Sequence, residues 1–205
     1  DIAKLIGCWN GLDKHFKETD DAISDWRPMK TAVAFAKDIA SSKAATTVFP
    51  EVSKKINEAI SEDDSRRPLA IESHHVDGTM GIHERNSKLA WLKEGTDEDV
   101  CRVLTNARCL SEGVDVPALD AVLFLTPRGS QVDVVQSVGR VMRLAPGKEL
   151  GYIILPVVIP SGIAPEEALQ DNERYRVVWQ VLQALRSHDD RFHAEINKIN
   201  LNKNR

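Results

Sequence analysis

Three side chains suited to binding phosphate oxygens lie at helical spacing late in the chain: Gln136, Arg140 and Arg143. A Ser-x-x-Asp start that resembles a capping box predicts a helix over about residues 131–144. At about 100° per residue, the carboxamide and the two guanidiniums fall within roughly 60° of one another. Planar, forked donors match triphosphate oxygens and offset charge that develops during phosphoryl transfer. The spacing therefore predicts a triphosphate-binding face; the alternative is an amphipathic helix with a solvated basic face.

Gly139 lies inside this predicted helix. A glycine there costs about 1 kcal/mol relative to alanine, which is easier to understand if a large group must come close to the backbone. The opposite arc of the helix is apolar and consists of Val134, Val135, Val138, Val141 and Met142. One face can therefore pack into a core while the other meets a ligand.

A second polar stretch follows a predicted strand over residues 101–105. Thr105 and Asn106 supply a hydroxyl and an amide, which can hold a phosphate without reading base identity. Gly113 lets the backbone turn tightly or approach a ligand. Asp115 can accept from a ribose hydroxyl or orient a neighbouring arginine. The alternative interpretation is a loop followed by a short edge strand.

Composition excludes several other classes of protein. The 205 residues are 42% apolar and 28% charged, which is typical of one globular domain with an appendage. The net charge of -4 argues against a strongly basic wrapper of nucleic acid but allows a local basic groove. Three widely spaced cysteines favour neither a disulfide scaffold nor a zinc site, and they indicate a reducing cytoplasm. We expect no membrane span, because no apolar run reaches about 18 residues.

The order of the predicted elements indicates an α/β fold with a mostly parallel sheet. Five strands are predicted, at 30–35, 69–75, 101–105, 121–125 and 152–157, and they alternate with helical segments. One helix opening at Asp38 should end before Pro50 and be followed by a second over residues 52–60. Ligands of such sheets bind at the carboxyl ends of the strands, where Thr105, Asn106 and Arg128 would lie.

Three regions are predicted along the chain. Residues 1–27 are expected to form a linker or lead-in, and residues 28–160 the sheet domain. Residues 161–205 are expected to form a helical appendage. The start at Asp1, without an initiator methionine, suggests a piece of a longer polypeptide.

The two polar stretches together resemble a known family. Thr-Asn-Ala-Arg, then Glu-Gly-Val-Asp-Val-Pro, then Gln-x-x-Gly-Arg-x-x-Arg resembles motifs V and VI of superfamily-2 helicases and translocases. Val33-Ala34-Phe35, and His75-Val76-Asp77-Gly78 with Arg85, resemble earlier elements of the same second RecA-like domain. The likeness runs from about Arg27 to Pro156. It implies a three-layer RecA-like fold.

Further stretches near both ends resemble the helicase part of single-chain type ISP restriction–modification enzymes. Near the start the resemblance rests on Gly-Cys-Trp-Asn-Gly-Leu, and near the end on Asn-Glu-Arg-Tyr and His-Asp-Asp-Arg-Phe. Enzymes of that kind join a nuclease, an ATP-driven DNA translocase, a methyltransferase and a target-recognition region. The likeness is what points to double-stranded DNA as the partner.

The resemblance also implies roles for particular residues. Arg140 and Arg143 would be arginine fingers that reach ATP on the partner domain, and Gln136 would contact the γ-phosphate or the attacking water. Three residues would line the nucleotide cleft: Gly113, Asp115 and Gly139. Thr105 and Asn106 would touch a DNA phosphate. Arg128, which follows the fourth predicted strand, could add to the nucleotide or DNA surface.

Two motifs of a complete motor are missing from the 205 residues. There is neither a Gly-x-x-x-x-Gly-Lys-Ser/Thr phosphate loop nor an acidic magnesium motif after an apolar strand. ATP and Mg²⁺ should therefore be held mainly by an N-terminal RecA-like domain of the same polypeptide, and this chain alone should be inactive. The alternatives are a non-catalytic RecA-like module that docks a partner or nucleic acid, and a repair or RNA helicase.

The pair His74-His75 is a weaker candidate, for a metal site. Adjacent strand residues point to opposite faces of a sheet, and no further ligands cluster nearby in the sequence. We therefore expect both histidines to be structural. Trp91, Tyr175 and Trp179 are likewise expected to pack on helix faces instead of stacking on bases.

Overall fold

The computed structural model describes residues 2–14, 27–60, 68–94, 96–107, 119–126 and 150–156, together with single residues 139, 148, 176 and 179. Five strands lie within these ranges: β1 Thr31–Phe35, β2 Ala70–Asp77, β3 Val100–Ala107, β4 Ala121–Phe124 and β5 Tyr152–Ile154. Three helices accompany them: α1 Ile2–Leu12, α2 Ile39–Ala59 and α3 Ile82–Lys93.

The five strands form one sheet in the order β2-β3-β1-β4-β5, and every pair is parallel. The α/β prediction and each of the five predicted strands are therefore confirmed, with ends that differ by up to three residues. β1 lies at the centre and is apolar and buried over most of its length, as expected for a strand covered on both faces.

Successive side chains of each strand enter two different layers of the core. One layer contains Ala32 and Ala34 of β1 with Cys101 and Val103 of β3, and it packs against α1 and α2. The intervening residues face the other layer, where Phe35 stacks on Phe124 with ring centroids 5.6 Å apart. Because side chains alternate between the two faces of the sheet, both faces carry apolar groups and are covered. The result is a helix, sheet and helix layer arrangement.

The first helix was not predicted. Two glycines, Gly7 and Gly11, weaken its local helix signal, since each costs about 1 kcal/mol in a helix interior. Packing explains why the helix forms, because Leu5, Cys8, Trp9 and Leu12 are all buried in the core. Gly11 also permits a close approach to β5, since a Cβ at that position would lie 2.9 Å from Ile154 Cδ1.

The prediction that a helix ends before Pro50 is wrong. α2 continues through Pro50 for 21 residues, from Ile39 to Ala59. Proline removes the bond that its N–H would make to the carbonyl four residues earlier, that of Thr46. Ser73 Oγ of β2 donates to that carbonyl over 2.7 Å, so the freed acceptor is satisfied. Burial of Phe49 and Val52 on either side of the proline holds the helix against the sheet.

Cys8 and Cys101 are free thiols buried in the hydrophobic core. Burial raises the pKa of Cys8 to about 12. The third cysteine, Cys109, lies outside the residues that the structure describes.

Several predictions concern segments outside the described ranges. These are the later part of the lead-in over residues 1–27, most of the helix over 131–144 and most of the appendage over 161–205. Gly139, Arg176 and Trp179 are described, and each is helical. The domain boundaries therefore stay predictions.

Trp9 provides a test of the packing of α1. Its side chain is fully buried, and Nε1 donates to the carbonyl oxygen of Leu69 over 2.9 Å. We expect Trp9→Ala to lower the free energy of unfolding by about 3–5 kcal/mol, because it leaves a cavity and removes this bond. The control, Ile2→Ala on the same helix, is 59% exposed and should change stability by less than about 0.5 kcal/mol. Urea unfolding of both variants measures the difference, and equal losses would contradict the observed packing.

Candidate functional site

The carboxyl ends of β1, β2 and β3 meet at one edge of the sheet, and polar side chains concentrate there. The parallel register pairs His75 with Thr105 and both Val76 and Phe35 with Asn106. The first turns of α2 lie over the same edge. Ligands of open parallel sheets bind at this edge, so it is the candidate functional site.

Thr105 is the centre of a buried hydrogen-bond network. Its Oγ1 lies 2.6 Å from Thr46 Oγ1 and 2.9 Å from Ser42 Oγ, and it donates to the carbonyl oxygen of Ser42 over 3.1 Å. Thr46 and Ser42 both belong to α2, so one hydroxyl at the end of β3 fixes the strand to the helix above it. The Thr105 side chain has no exposed surface.

His75 continues this network along the edge of the sheet. Its Nδ1 lies 2.7 Å from Ser42 Oγ, and its Nε2 lies 2.8 Å from Asp77 Oδ2. The other oxygen of Asp77 accepts from the backbone N–H of Thr79 over 2.8 Å and from the Thr79 hydroxyl over 2.5 Å. A continuous chain of side chains therefore runs from Thr105 through Ser42, His75 and Asp77 to the loop that follows β2.

The carboxyl group of Asp77 is held in its ionised form. Hydrogen bonds from the Thr79 side chain, and then from His75, lower its pKa well below the usual range even though burial opposes them. A carboxylate can only accept hydrogen bonds, so His75 Nε2 must carry a proton.

Two cations of α3 attach it to the end of β2 and to the loop that follows. Lys88 Nζ donates to the carbonyl oxygen of His75 over 2.9 Å and forms an ion pair with Glu84 at the same distance. Arg85 donates through Nη2 to the carbonyl oxygen of Met80 over 3.2 Å. The loop is therefore held by hydrogen bonds to the histidine network on one side and to the first turns of α3 on the other.

Two buried polar atoms near this edge have no hydrogen-bond partner in the described part of the chain: Asn106 Oδ1 and Arg85 Nε. Asn106 donates through Nδ2 to the carbonyl oxygen of Ala34, so only half of its amide is satisfied. Leaving a buried polar atom unpaired costs about 1–3 kcal/mol. Such unpaired atoms are rare in proteins, and one explanation is that another group binds here and completes the site.

Thr105 and Asn106, both predicted to contact DNA, are fully buried in this structure. As neighbours on one strand they also point into different layers, Thr105 toward α2 and Asn106 away from it. The alternation that separates the two histidines therefore separates these residues as well. Their contact with a phosphate stays a prediction.

Among the residues predicted to line the nucleotide cleft, only Gly139 is described. It is helical and exposed, and a Cβ built there would meet no atom of the described residues within 4 Å. Six other predicted site residues lie outside the described ranges: Gly113, Asp115, Arg128, Gln136, Arg140 and Arg143.

The histidine pair divides between two faces, as predicted. His74 packs its ring edge-on against Trp91 with centroids 4.3 Å apart, and Arg102 lies over the same indole at 5.0 Å. Trp91 therefore packs within the protein, as expected. Among the described residues no group of three or more His, Cys, Asp or Glu side chains could hold a metal ion.

Sequence reasoning missed Ser42 and assigned no contact to Asp77, which it named only as part of a motif. A signal for both existed. His75 and Asp77 are two apart on a strand and so share a face, and a crossover helix places its first turns over the carboxyl ends of parallel strands. Ser42 lies four residues after Asp38, whose side chain caps α2 by accepting from the N–H of Ser41.

Within the residues that the structure describes, no helix combines the length and apolar character that crossing a membrane requires.

Comparison with known proteins shows which family the chain resembles. Residues 27–145 match the family model described as "Helicase conserved C-terminal domain". Over 97% of this chain and 12% of the other, the structure is similar to the ATP-dependent type ISP restriction-modification enzyme LlaBIII bound to DNA, with 42% identity and a TM-score of 0.73. A protein of African swine fever virus named as a probable helicase is 34% identical over 94 residues, which is 46% of this chain and 10% of that protein. The chain thus spans about a tenth of the length of both relatives, and the resemblance drawn from its motifs is confirmed.

Asp77 provides a pH-dependent test of the network. A carboxyl group whose pKa is lowered by folding contributes stability above its unfolded pKa, about 3.9, and that contribution is lost as the pH falls toward the folded value. We expect Asp77→Asn to cost about 2 kcal/mol of unfolding free energy near neutral pH, because it removes charged hydrogen bonds. The difference from wild type should narrow as the pH falls below about 4. Urea unfolding of both proteins over that range measures it, and a difference that stays constant with pH would contradict an ionised, hydrogen-bonded Asp77.

Proposed function

Because the chain belongs to the family of helicase conserved C-terminal domains, we propose that it forms the second half of an ATP-driven motor that moves along double-stranded DNA. The observation that carries the proposal is the similarity of nearly the whole chain to a DNA-bound, ATP-dependent type ISP enzyme. On the same ground we propose that the parent polypeptide is a restriction–modification enzyme.

In this proposal ATP and Mg²⁺ are held mainly by an N-terminal RecA-like domain of the same polypeptide. The bound nucleotide supplies the free energy of phosphoryl transfer. The residues of this chain bind and orient the phosphates: Arg140 and Arg143 offset charge on the transferred group, and Gln136 contacts the γ-phosphate or the attacking water. Gly113, Asp115 and Gly139 line the cleft. No atom of the described residues lies within 4 Å of a Cβ built at Gly139, and this supports a close approach by a large group.

The polar edge of the sheet supports a site that is completed from outside this chain. Asn106 Oδ1 and Arg85 Nε are buried and unpaired among the described residues, although such atoms usually find partners. Docking of a second domain or of a phosphate backbone would supply polar groups of the kind they lack. Closing and reopening of the cleft between the two domains would then convert ATP turnover into movement.

For the DNA side of the motor we propose contacts from Arg128 and from the end of β3 at Thr105 and Asn106. Phosphate contacts fix position on the duplex without reading its sequence, which suits a protein that tracks along DNA. Both β3 side chains are buried, so a direct contact through them requires this edge to open when DNA binds.

The first test concerns the chain in isolation. We expect residues 1–205 alone to show no ATP hydrolysis above background, with or without DNA, because the phosphate loop and the magnesium carboxylate belong to the partner domain. The full parent polypeptide, assayed in parallel for phosphate release, is the positive control. Turnover by the purified piece would overturn the assignment to half of an ATPase core.

The second test concerns the arginine fingers in the full parent polypeptide. We expect Arg140→Ala to lower DNA-stimulated ATP turnover by about 10³-fold or more while ATP binding and the fold are retained, because a finger acts on charge in the transition state. Lys54→Ala is the control: this cation lies on the distal half of α2 and is exposed, so turnover should not change.

Two other results would redirect the proposal. Unchanged turnover in Arg140→Ala would contradict the finger role and favour a RecA-like docking module. Stimulation of the wild type by RNA but not by DNA would make the motor an RNA helicase.

A further inference from the structure

We propose that Ser42, His75 and Asp77 are positioning residues that couple nucleic-acid binding at the sheet edge to ATP turnover. The inference rests on the proposed motor function and adds residues to which that function assigns no role. It starts from one geometric fact: a single buried chain of hydrogen bonds joins α2, the end of β3 and the loop after β2.

The distances within this chain are those of a hydrolase triad, but burial excludes that activity. Ser42 lies 2.7 Å from the imidazole, and the imidazole lies 2.8 Å from a carboxylate. A nucleophile must meet its substrate, however, and the Ser42 side chain has no exposed surface. The serine can therefore act only on its protein neighbours.

The direction of the hydrogen bonds in this chain is set collectively. Asp77 is ionised and fixes a proton on His75 Nε2. The Ser42 hydroxyl has one proton and two neighbours within reach, His75 Nδ1 at 2.7 Å and Thr105 Oγ1 at 2.9 Å. It can donate to only one of them at a time, so its orientation toward Thr105 depends on what the histidine requires.

This arrangement has two discrete states, which is what a coupling element needs. When Ser42 donates to His75, Thr105 loses that donor and must satisfy its oxygen through Thr46. When Ser42 donates to Thr105, Nδ1 of His75 is left without a donor. If a phosphate displaced the end of β3, the hydrogen bonds of Ser42 and His75 would therefore change. The change would reach Asp77 and, through its hydrogen bonds, the turn at Thr79 that begins the next loop.

The chain contains a matched control for Ser42. Ser53 lies on the same helix and is also buried. Its Oγ donates to the carbonyl oxygen of Leu69, just before β2, over 2.6 Å and accepts from the N–H of Ile71 in β2 over 3.1 Å. Its contacts are at the amino end of β2, whereas those of Ser42 are at the carboxyl end. Ser42→Ala and Ser53→Ala thus remove the same group from the same helix at opposite edges of the sheet.

The experiment compares these two variants in the full parent polypeptide. ATP turnover is measured without DNA and across a range of duplex concentrations, and thermal unfolding is measured in parallel. We expect Ser42→Ala to lower the ratio of DNA-stimulated to unstimulated kcat by about 3- to 30-fold. Ser53→Ala should leave the ratio unchanged at a similar loss of thermal stability. Equal ratios in the two variants would overturn the inference, because a merely structural serine predicts that result.

Two substitutions of His75 divide the chain of hydrogen bonds at different points. An asparagine amide reaches about as far as Nδ1 and can keep the contact with Ser42, whereas a glutamine amide reaches about as far as Nε2 and can keep the contact with Asp77. A relay requires both halves, so His75→Asn and His75→Gln should each lose the DNA stimulation that Ser42→Ala loses. Wild-type stimulation in either folded variant would contradict the relay.

The result for the wild type separates this inference from the function on which it rests. If the full polypeptide shows no nucleic-acid-stimulated turnover, the motor proposal fails and the coupling role fails with it. If the wild type is stimulated but Ser42→Ala behaves like Ser53→Ala, the motor stands and only the coupling role is overturned.

Discussion

The hydrogen bond between Ser42 and His75 joins the two parts of the structure on which the candidate site depends. A parallel sheet gathers the ends of its strands at one edge, but their side chains must still be satisfied there in a buried setting. Ser42 on α2 meets His75 on β2 and Thr105 on β3, so one hydroxyl ties a helix to two strands. Asp77 keeps the imidazole oriented and passes the constraint to the following loop. The same hydrogen bonds therefore fix the positions of α2, β2 and β3 and satisfy the buried polar groups at this edge.

Much of the fold follows from local pattern. Apolar runs between helical segments predicted all five strands and a mostly parallel sheet. This was possible because the hydrophobic period and the turn residues that bound each strand can be found within short stretches of sequence. The two failures came from packing between distant segments. α2 passes through Pro50 because Ser73, 23 residues later, satisfies the freed carbonyl of Thr46. α1 forms despite two glycines because its apolar face is covered by the sheet and α2. Neither the Ser73 hydrogen bond nor the packing of α1 can be found within a short stretch of sequence.

At the candidate site, too, some features could be predicted from the sequence and others could not. The motifs indicated the family and the edge of the sheet, since residue types at fixed spacing carry that information. They did not indicate the contacts at that edge. Thr105 and Asn106 were predicted to face a ligand, yet both are buried and point into different layers. Ser42 was missed because its role comes from residues 33 and 63 positions away along the chain.

In the proposed motor, the helix predicted over residues 131–144 faces a nucleotide held by a second domain. Hydrogen–deuterium exchange of the full polypeptide, with and without a non-hydrolysable ATP analogue and duplex DNA, tests it most directly. We expect peptides spanning residues 131–144 to become protected when nucleotide and DNA are both present, because cleft closure would bring that helix against the phosphates. Unchanged exchange in these peptides, alongside protection of the domain that binds ATP, would contradict it.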